Sequence, residues 1–449
     1  MPDAAAQSAT SLAGLFLSPR PKPAELQEAC RSNGFADACR AAVMLSELAR
    51  LPAPTDSLRA ALSHVVEAVM ASAAPDTALA AVHRLVCRSP RAAAWIDVLA
   101  RSQRGAAILA IVGPFSRFLC DVLADDPDVL TGLLEPGVLD SPRGRAYFQS
   151  ALRDEPVEAG DRGEALRVLR RFKRRELVRI AIRDLLRLAA FEEAVAEISD
   201  LACALLEATL RVCRRDLTRN HGSPQGRAGE AGFAIIGLGK LGGGELNYSS
   251  DVDVMFVHSE EGECAAPRGR PLARKALSNQ EFFDRLAADV ISAMQQPTED
   301  GIVFRVDARL RPEGASGRLS RSLSACLAYY ESWAEPWERQ ALIKASHAAG
   351  DEALSERFIS SVQPFAYGKR LDALGLADVR AMRERIEPAL ETHSPHEFDV
   401  KLGPGGIRDV EFAVQALQLV AGAEDPSVRN ANTLDALRAL VERSHLDRD

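Results

Sequence analysis

The chain has 449 residues, of which 47% are hydrophobic and 26% charged, with a formal net charge of −8. This composition is ordinary for a well-cored globular protein, excludes a largely disordered chain, and at this length implies roughly three domains. The acidic balance leaves no electrostatic footprint for nucleic acid, so a protein substrate is easier to accommodate.

The opening segment MPDAAAQSATSLAGLFLSPRPKP lacks a basic start, and its apolar run is too short for a signal peptide or a membrane span. A cytoplasmic protein without membrane contact is expected. Residues 1–225 are rich in alanine, leucine and arginine, with helical spacing in LQEACRSNGFADACRAAVMLSELARL, in LRAALSHVVEAVMASAA and from Glu164 to Thr218. In the last of these, Leu166, Leu169 and Phe172 open an apolar stripe expected to continue through Leu177, Ile180 and Leu188, while Arg170, Arg171, Arg174 and Arg175 crowd other faces. The plain reading of those arginines is a solvated basic face, and the alternative is a contact with phosphate or an acidic partner. The eight cysteines, Cys30, Cys39, Cys87, Cys120, Cys203, Cys213, Cys264 and Cys326, show no C-x-x-C pair or zinc spacing and read mostly as reduced packing residues.

The breaker run NHGSPQGRAGEAG marks a junction. Beyond it, within an expected domain over 226–345, GFAIIGLGKLGGGELNYSSDVDVMFVHSE reads as a strand, a phosphate-cradling glycine turn, a short helix and a second strand opening on Asp251 and Asp253. Side chains at i and i+2 of a strand share a face, so these two carboxylates can hold one cation. Gly237, Gly239 and Gly242 also spell G-x-G-x-x-G, with Glu260 at the distance of a ribose-binding acid. A dinucleotide site fits poorly, because Gly242, Gly243 and Gly244 fall where it needs a firm helix and each glycine there costs about 1 kcal/mol relative to alanine. Such a site also has no use for two acids at the start of the next strand. No Walker string occurs.

EEGECAAPRGRPLARKALSN then reads as an exposed connection, and QEFFDRLAADVISAMQQ as an amphipathic helix. In FRVDARLRP, Phe304, Val306, Ala308 and Leu310 alternate with Arg305, Asp307, Arg309 and Arg311, predicting a strand with one acid among three guanidinium groups on its polar face. Asp251, Asp253 and Asp307 together would offer oxygen ligands suited to Mg2+, with positions left for water and substrate phosphates. In WERQALIKA, Arg339 and Lys344 are candidates to face a nucleotide, whereas Trp337, Leu342 and Ile343 read as packing residues.

Residues 346–449 read as a helical domain, including VRAMRERIEPALE and ANTLDALRALVERS. His393 and His396 flank a proline in an expected loop. KLGPGGIRDVEFAVQALQL breaks at its glycines and starts a helix near Ile407, with an acid in the first turn. Lys401 and Arg408 either belong to a plain turn and helix start or reach a phosphate or a partner protein.

Gly239-Lys240, the short helix, Asp251-x-Asp253 and the later Asp307 resemble the nucleotidyltransferase superfamily that includes DNA polymerase beta, with Gly-Lys in place of its usual Gly-Ser. GKLGGGELNYSSDVD, VDARLRPEGASGRL, WERQALIKA and KLGPGGIRDVEFAVQALQL, in this order, closely resemble the bifunctional glutamine synthetase adenylyltransferase/adenylyl-removing enzymes of bacterial nitrogen control. That family carries two such units, and ELNYSSD and KLGPGGIRDVEF resemble the first, adenylyl-removing one. The resemblance implies a predominantly helical α+β fold, in which a polymerase beta-like domain with a small mixed sheet is flanked by helical domains.

It further implies that inorganic phosphate attacks the AMP-tyrosine linkage of adenylylated glutamine synthetase, releasing ADP, under a PII-type nitrogen signal protein. Asp251, Asp253 and Asp307 would be the catalytic, metal-holding acids, and Gly239, Lys240, Ser250, Arg309 and Arg311 the phosphate and nucleotide contacts. Arg339, Lys344, Lys401 and Arg408 are further candidates. Two rival functions remain open from the sequence: an adenylyl transferase using ATP, and a non-catalytic regulator-binding module, against which the intact acids argue.

Overall fold

The computed structural model describes residues 2–125, 127–155, 161–265, 276–368, 399–401 and 403–447. The helix expected at VRAMRERIEPALE and the two histidines of ETHSPHEF lie outside the described residues. The chain forms two compact units, Met1–Pro142 with Arg174–Ala194, and Arg143–Lys173 with Val195–Asp449.

The first unit is helical. Pro23–Ser32, Ala38–Ala49, Thr55–Met70, Pro75–Cys87, Ala92–Arg101 and Gln103–Phe115 follow one another with short connections. Pro23 and Pro75 open their helices, where a missing N–H costs nothing. Asp37 and Ser102 cap theirs through the amides of Arg40 and Gly105. Their apolar stripes meet in one core that includes Leu45, Leu62, Val65, Leu79, Trp95 and Leu109, all nearly or fully buried. Burying each such aliphatic side chain stabilises by about 1.5–3 kcal/mol before conformational entropy is set against it.

The second unit carries the sheet. After the hairpin of β1 (Gln225–Gly226) and β2 (Gly229–Glu230), β3 (Phe233–Gly237) lies fully buried between two antiparallel neighbours, β4 (Val252–His258) and β7 (Ser346–Gly350). β5 (Val306–Asp307) and β6 (Ser320–Ser322) both run parallel to β4, β5 at its start and β6 toward its end. The fold is a predominantly helical α+β arrangement with a small mixed sheet, as the sequence predicted. Residues 346–350 depart from the helical reading of everything beyond 345. Ser-His-Ala-Ala-Gly has little strand preference of its own, and pairing with β3 makes it a strand.

Helices cover both faces of β3 and β4. The helix Asn279–Gln295, started by a capping box between Ser278 and Glu281, puts Phe283 against Phe233 with ring centroids 5.1 Å apart and parallel planes. On the other face, Ala234, Ile236, Met255 and Val257 pack with Tyr330, Leu342, Leu354 and Phe358. Asp251 and Asp253 share the facing of Met255 and Val257, because facing alternates along β4.

Of the arginines on the helix Arg162–Leu185, Arg170 is buried rather than solvated, whereas Arg171 and Arg175 are exposed as the plain reading has them, Arg171 donating from Nε to Asp300 Oδ1 at 3.1 Å. Leu188, expected in the apolar stripe, lies past the end of that helix and is exposed. Six of the eight cysteines are buried and all eight are free. Burial pushes the Cys213 and Cys326 thiols up to about 12. Among the described residues no helix is long and apolar enough to cross a membrane.

Candidate active site

The site starts at the end of β3. The Leu238 amide donates to Asp253 O at 2.8 Å, which ties the glycine turn to β4. Gly239 then adopts φ of +50°, and a Cβ placed on it would lie 2.3 Å from Asp253 Oδ2. Both the left-handed backbone and the carboxylate therefore require glycine. At Gly242 a Cβ would lie 1.9 Å from Lys344 O, so this second glycine lets the four-residue helix Gly239–Gly242 press against the chain leading into β7.

Asp251 precedes β4, Asp253 is its second residue, and Asp307 is the register partner of Asp253 on the parallel strand β5. Burial pushes the Asp253 carboxyl up to about 6, with the charges of Asp307 and Asp251 acting the same way and Lys401 and Arg309 opposing them. Asp307 is held below its usual range, chiefly by hydrogen bonds from Arg309, whose Nε lies 2.9 Å from Oδ2 and whose amide lies 2.8 Å from Oδ1. Asp251 is half exposed and pairs with Arg305, which also donates from Nη2 to Ser249 O at 2.7 Å.

These acids line a cavity of about 390 Å³. Gly239, Lys240, Ser250 and Arg309 line it too, as do Lys344, Lys401 and Arg408, so the structure brings together most of the residues singled out from sequence. Lys401 and Arg408 come from the glycine-rich turn, which is closed by bonds from Ile407 N to Val400 O at 2.9 Å and from Arg408 N to Lys401 O at 3.1 Å. Lys344 is buried and committed to an ion pair with Glu245 and a 2.8 Å bond to Thr433 Oγ1. Glu245 also receives the Thr433 amide at 2.9 Å. Lys344 thus joins the segment after the glycine turn to the helix Thr433–Glu442, and its ammonium is not free to follow a ligand.

Arg311 and Arg339 do not line the cavity. β5 ends at Asp307 and the chain turns, so the alternation expected through Arg311 stops. The Arg311 guanidinium is buried and donates to the carbonyls of Ala308, Ala315, Gly317 and Arg318, clamping that turn. Arg339 donates from Nε to Ala366 O at 3.1 Å.

Other lining residues escaped the sequence reading: Trp337, Gln340, Glu411, Phe412 and Gln415. Trp337, Gln340, Ala341 and Lys344 stand at i, i+3, i+4 and i+7, one face of the helix Pro336–Ile343 and its C-cap. That spacing was visible in WERQALIKA, yet nothing in it said which face would meet a cavity.

Among the described residues no three or more His, Cys, Asp or Glu close into a cage around a metal. Arg305 and Arg309 hold the two outer carboxylates, and Asp253 between them sits among like charges. Magnesium binds through one or two carboxylates together with water and substrate phosphates. An open set of oxygen donors with concentrated negative charge fits that habit better than it would fit zinc, which prefers nitrogen and sulfur.

Comparison with known proteins adds the following. The family model described as glutamate-ammonia ligase adenylyltransferase matches residues 106–361, more than half of the chain. A second model, GlnD PII-uridylyltransferase, matches residues 377–449. The chain is similar to the bifunctional glutamine synthetase adenylyltransferase/adenylyl-removing enzymes of Pseudomonas aeruginosa, at 38% identity over 75% of this chain and 34% of the relative, and of Leifsonia xyli, at 38% over 93% and 40%. The Streptomyces avermitilis relative of the same name is 37% identical over 93% of this chain and 39% of its own length. The chain therefore spans well under half the length of these curated relatives.

Proposed function

Because this chain belongs to the glutamate-ammonia ligase adenylyltransferase family, we propose that its cavity is the adenylyl-removing site of such an enzyme. In this reading the sheet is the core of a polymerase beta-like nucleotidyltransferase domain, and the chain corresponds to the amino-terminal half of its longer relatives. The substrates are glutamine synthetase bearing AMP on a tyrosine, and inorganic phosphate. A phosphate oxygen attacks the AMP phosphorus, the bond to the tyrosine oxygen breaks, ADP leaves, and the phenolate takes a proton from water.

The observation that carries this reading is the register of Asp253 with Asp307 beside the Gly239-Lys240 turn, in one cavity that Lys401 and Arg408 also line. Asp251, Asp253 and Asp307 would hold Mg2+, which supplies charge neutralisation between two anionic reactants. Lys240, Lys401 and Arg408 draw the attacking phosphate in and orient it, and the Gly239 region leaves room for it beside Asp253. Arg309 keeps Asp307 ionised. No strong general base is required, since phosphate at neutral pH is already an anion and the leaving phenol has a pKa of about 10. The names of the relatives support glutamine synthetase as the protein substrate. The uridylyltransferase-like match over 377–449 supports regulation by a PII-type nitrogen signal protein.

Incubation with adenylylated glutamine synthetase, phosphate and magnesium is expected to release ADP and restore the unmodified tyrosine. Incubation with labelled ATP and unmodified glutamine synthetase should leave the latter unlabelled. Robust labelling would assign the site to transfer instead, and neither product would leave a non-catalytic module.

A further inference from the structure

One group in the cavity lacks a role in that chemistry. Gln340 is 4% exposed, lines the cavity, and among the described residues has a hydrogen-bond partner on neither its amide nitrogen nor its amide oxygen. A buried amide left unpaired is costly, so such a group is ordinarily paired by protein, by water or by a ligand. Its surroundings are firmly built. The Glu335–Glu338 capping box starts its helix, Glu338 Oε2 accepts from Tyr329 Oη at 3.0 Å, and Lys344 anchors the C-cap. The unpaired amide is therefore held in place before any ligand arrives.

An amide offers a donor beside an acceptor. The ester-linked phosphate of the nucleotide, which only accepts, cannot use both, whereas the edge of adenine presents an amino donor next to a ring-nitrogen acceptor and pairs with a glutamine through two bonds. Trp337 and Phe412 line the same cavity and give flat apolar surfaces suited to a purine ring rather than to sugar hydroxyls. We propose that Gln340 reads the adenine ring of the nucleotide, accepting from the 6-amino group through Oε1 and donating from Nε2 to the adjacent ring nitrogen. This inference rests on the nucleotide reading of the site and adds to it the residue that selects the base.

The test is calorimetric titration, in the presence of magnesium, of the wild-type chain and of Gln340→Met with two ligands: ADP and purine riboside 5′-diphosphate, which is ADP without its 6-amino group. A site built to pair an amino group rejects the analogue lacking it. Wild type is expected to prefer ADP by roughly 10- to 100-fold, the range a good bidentate pair gives. Gln340→Met, nearly the same volume without the amide, should bind both ligands equally, whereas Gln340→Glu, which keeps the acceptor for the 6-amino group but loses the donor to the ring nitrogen, should bind both ligands more weakly and still prefer ADP. Thermal melting of the two variants establishes that they are folded. A preference for ADP that survives in folded Gln340→Met, or its absence from wild type, would overturn the base-reading role while leaving the nucleotide site intact. Failure of wild type to bind ADP at all would overturn both.

Discussion

The two units bury polar groups in different ways. In the helical unit, the buried charged or polar side chains among the described residues are Glu176, Arg179 and Arg183. Arg179 Nε is paired with Glu176 Oε2 at 2.8 Å, and Arg183 reaches Leu139 O and Glu193. In the sheet-bearing unit, Asp253 is half-buried among like charges and Gln340 has neither amide atom paired among the described residues. The pairing of the helical unit's charged groups is what stability alone favours, although Trp95 Nε1 in that unit's core has no partner among the described residues. The second pattern holds groups at a cost that the protein's own contacts do not recover, and such departures from local consistency concentrate where a ligand completes the arrangement.

The sharpest way to break this comparison is to neutralise the middle carboxylate. Asp253→Asn should cut ADP release from adenylylated glutamine synthetase by about 10²- to 10³-fold, the usual consequence of losing one preorganised electrostatic contact. The same variant should melt no lower than wild type in the absence of metal, because it removes a charge that Asp251 and Asp307 repel. Lost activity together with a lower melting temperature would place Asp253 in the structural class instead.

In the helical unit the expected outcome is the reverse. Leu45 is fully buried, and Leu45→Ala should cost about 2–5 kcal/mol through lost transfer energy and the cavity left behind. Denaturant unfolding measures it, and a cost under about 1 kcal/mol would show that the helices close over the gap.

A third, smaller effect tests a buried group in the sheet-bearing unit away from the cavity. His258 is fully buried on β4, stacked on Phe283 at 5.0 Å, with Ser320 Oγ at 3.3 Å from Nδ1 and Glu261 3.8 Å from Nε2. Burial, outweighing the attraction of Glu261 and Asp284, lowers it from the ordinary 6.5 to about 4. Between those values the unfolded chain binds a proton that the native chain refuses, so stability is complete above pH 6.5 and falls as pH drops toward 4. At pH 5 this amounts to about 2 kcal/mol. His258→Phe should lose that much less stability between pH 7 and pH 5 than wild type, as read by urea unfolding at the two values.

The smallest effect separates a phosphate contact from an ordinary turn residue. Lys240 lines the cavity, and an ammonium on a flexible stem contributes charge rather than shape. Lys240→Ala should raise the apparent KM for phosphate by about tenfold, equivalent to about 1.4 kcal/mol, with turnover partly restored at high phosphate. An unmoved phosphate titration would transfer the anion to Lys401 and Arg408.

Much of the site could be read before the fold was known. The strand, glycine turn, short helix and second strand follow from local pattern, and period-two alternation places Asp251 and Asp253 on one face wherever β4 lies. The capping box at Ser278 likewise fixes a helix start from four residues of sequence. These are short-range facts, set by backbone geometry within a few residues.

The remainder depended on partners distant in the chain. β7 is a strand because β3 offers it an edge, and β5 stops at Asp307 because Arg311 is drawn inward to bond four carbonyls of the following turn. Lys344 reads as a candidate ligand contact until Glu245 and Thr433, far from it in sequence, arrive to hold it. Gln340 shows the limit most clearly. In sequence it is an ordinary polar helix residue, and only the packing of its helix against the helices Glu352–Tyr367 and Ile407–Ala421 turns it from a solvated side chain into a buried one. The sequence by itself determined which groups share a strand face or a turn, because covalent spacing and backbone dihedrals set that. Which of those groups are paired, buried or left open to a ligand was decided by the tertiary structure, because desolvation and hydrogen bonding depend on what the rest of the chain brings alongside.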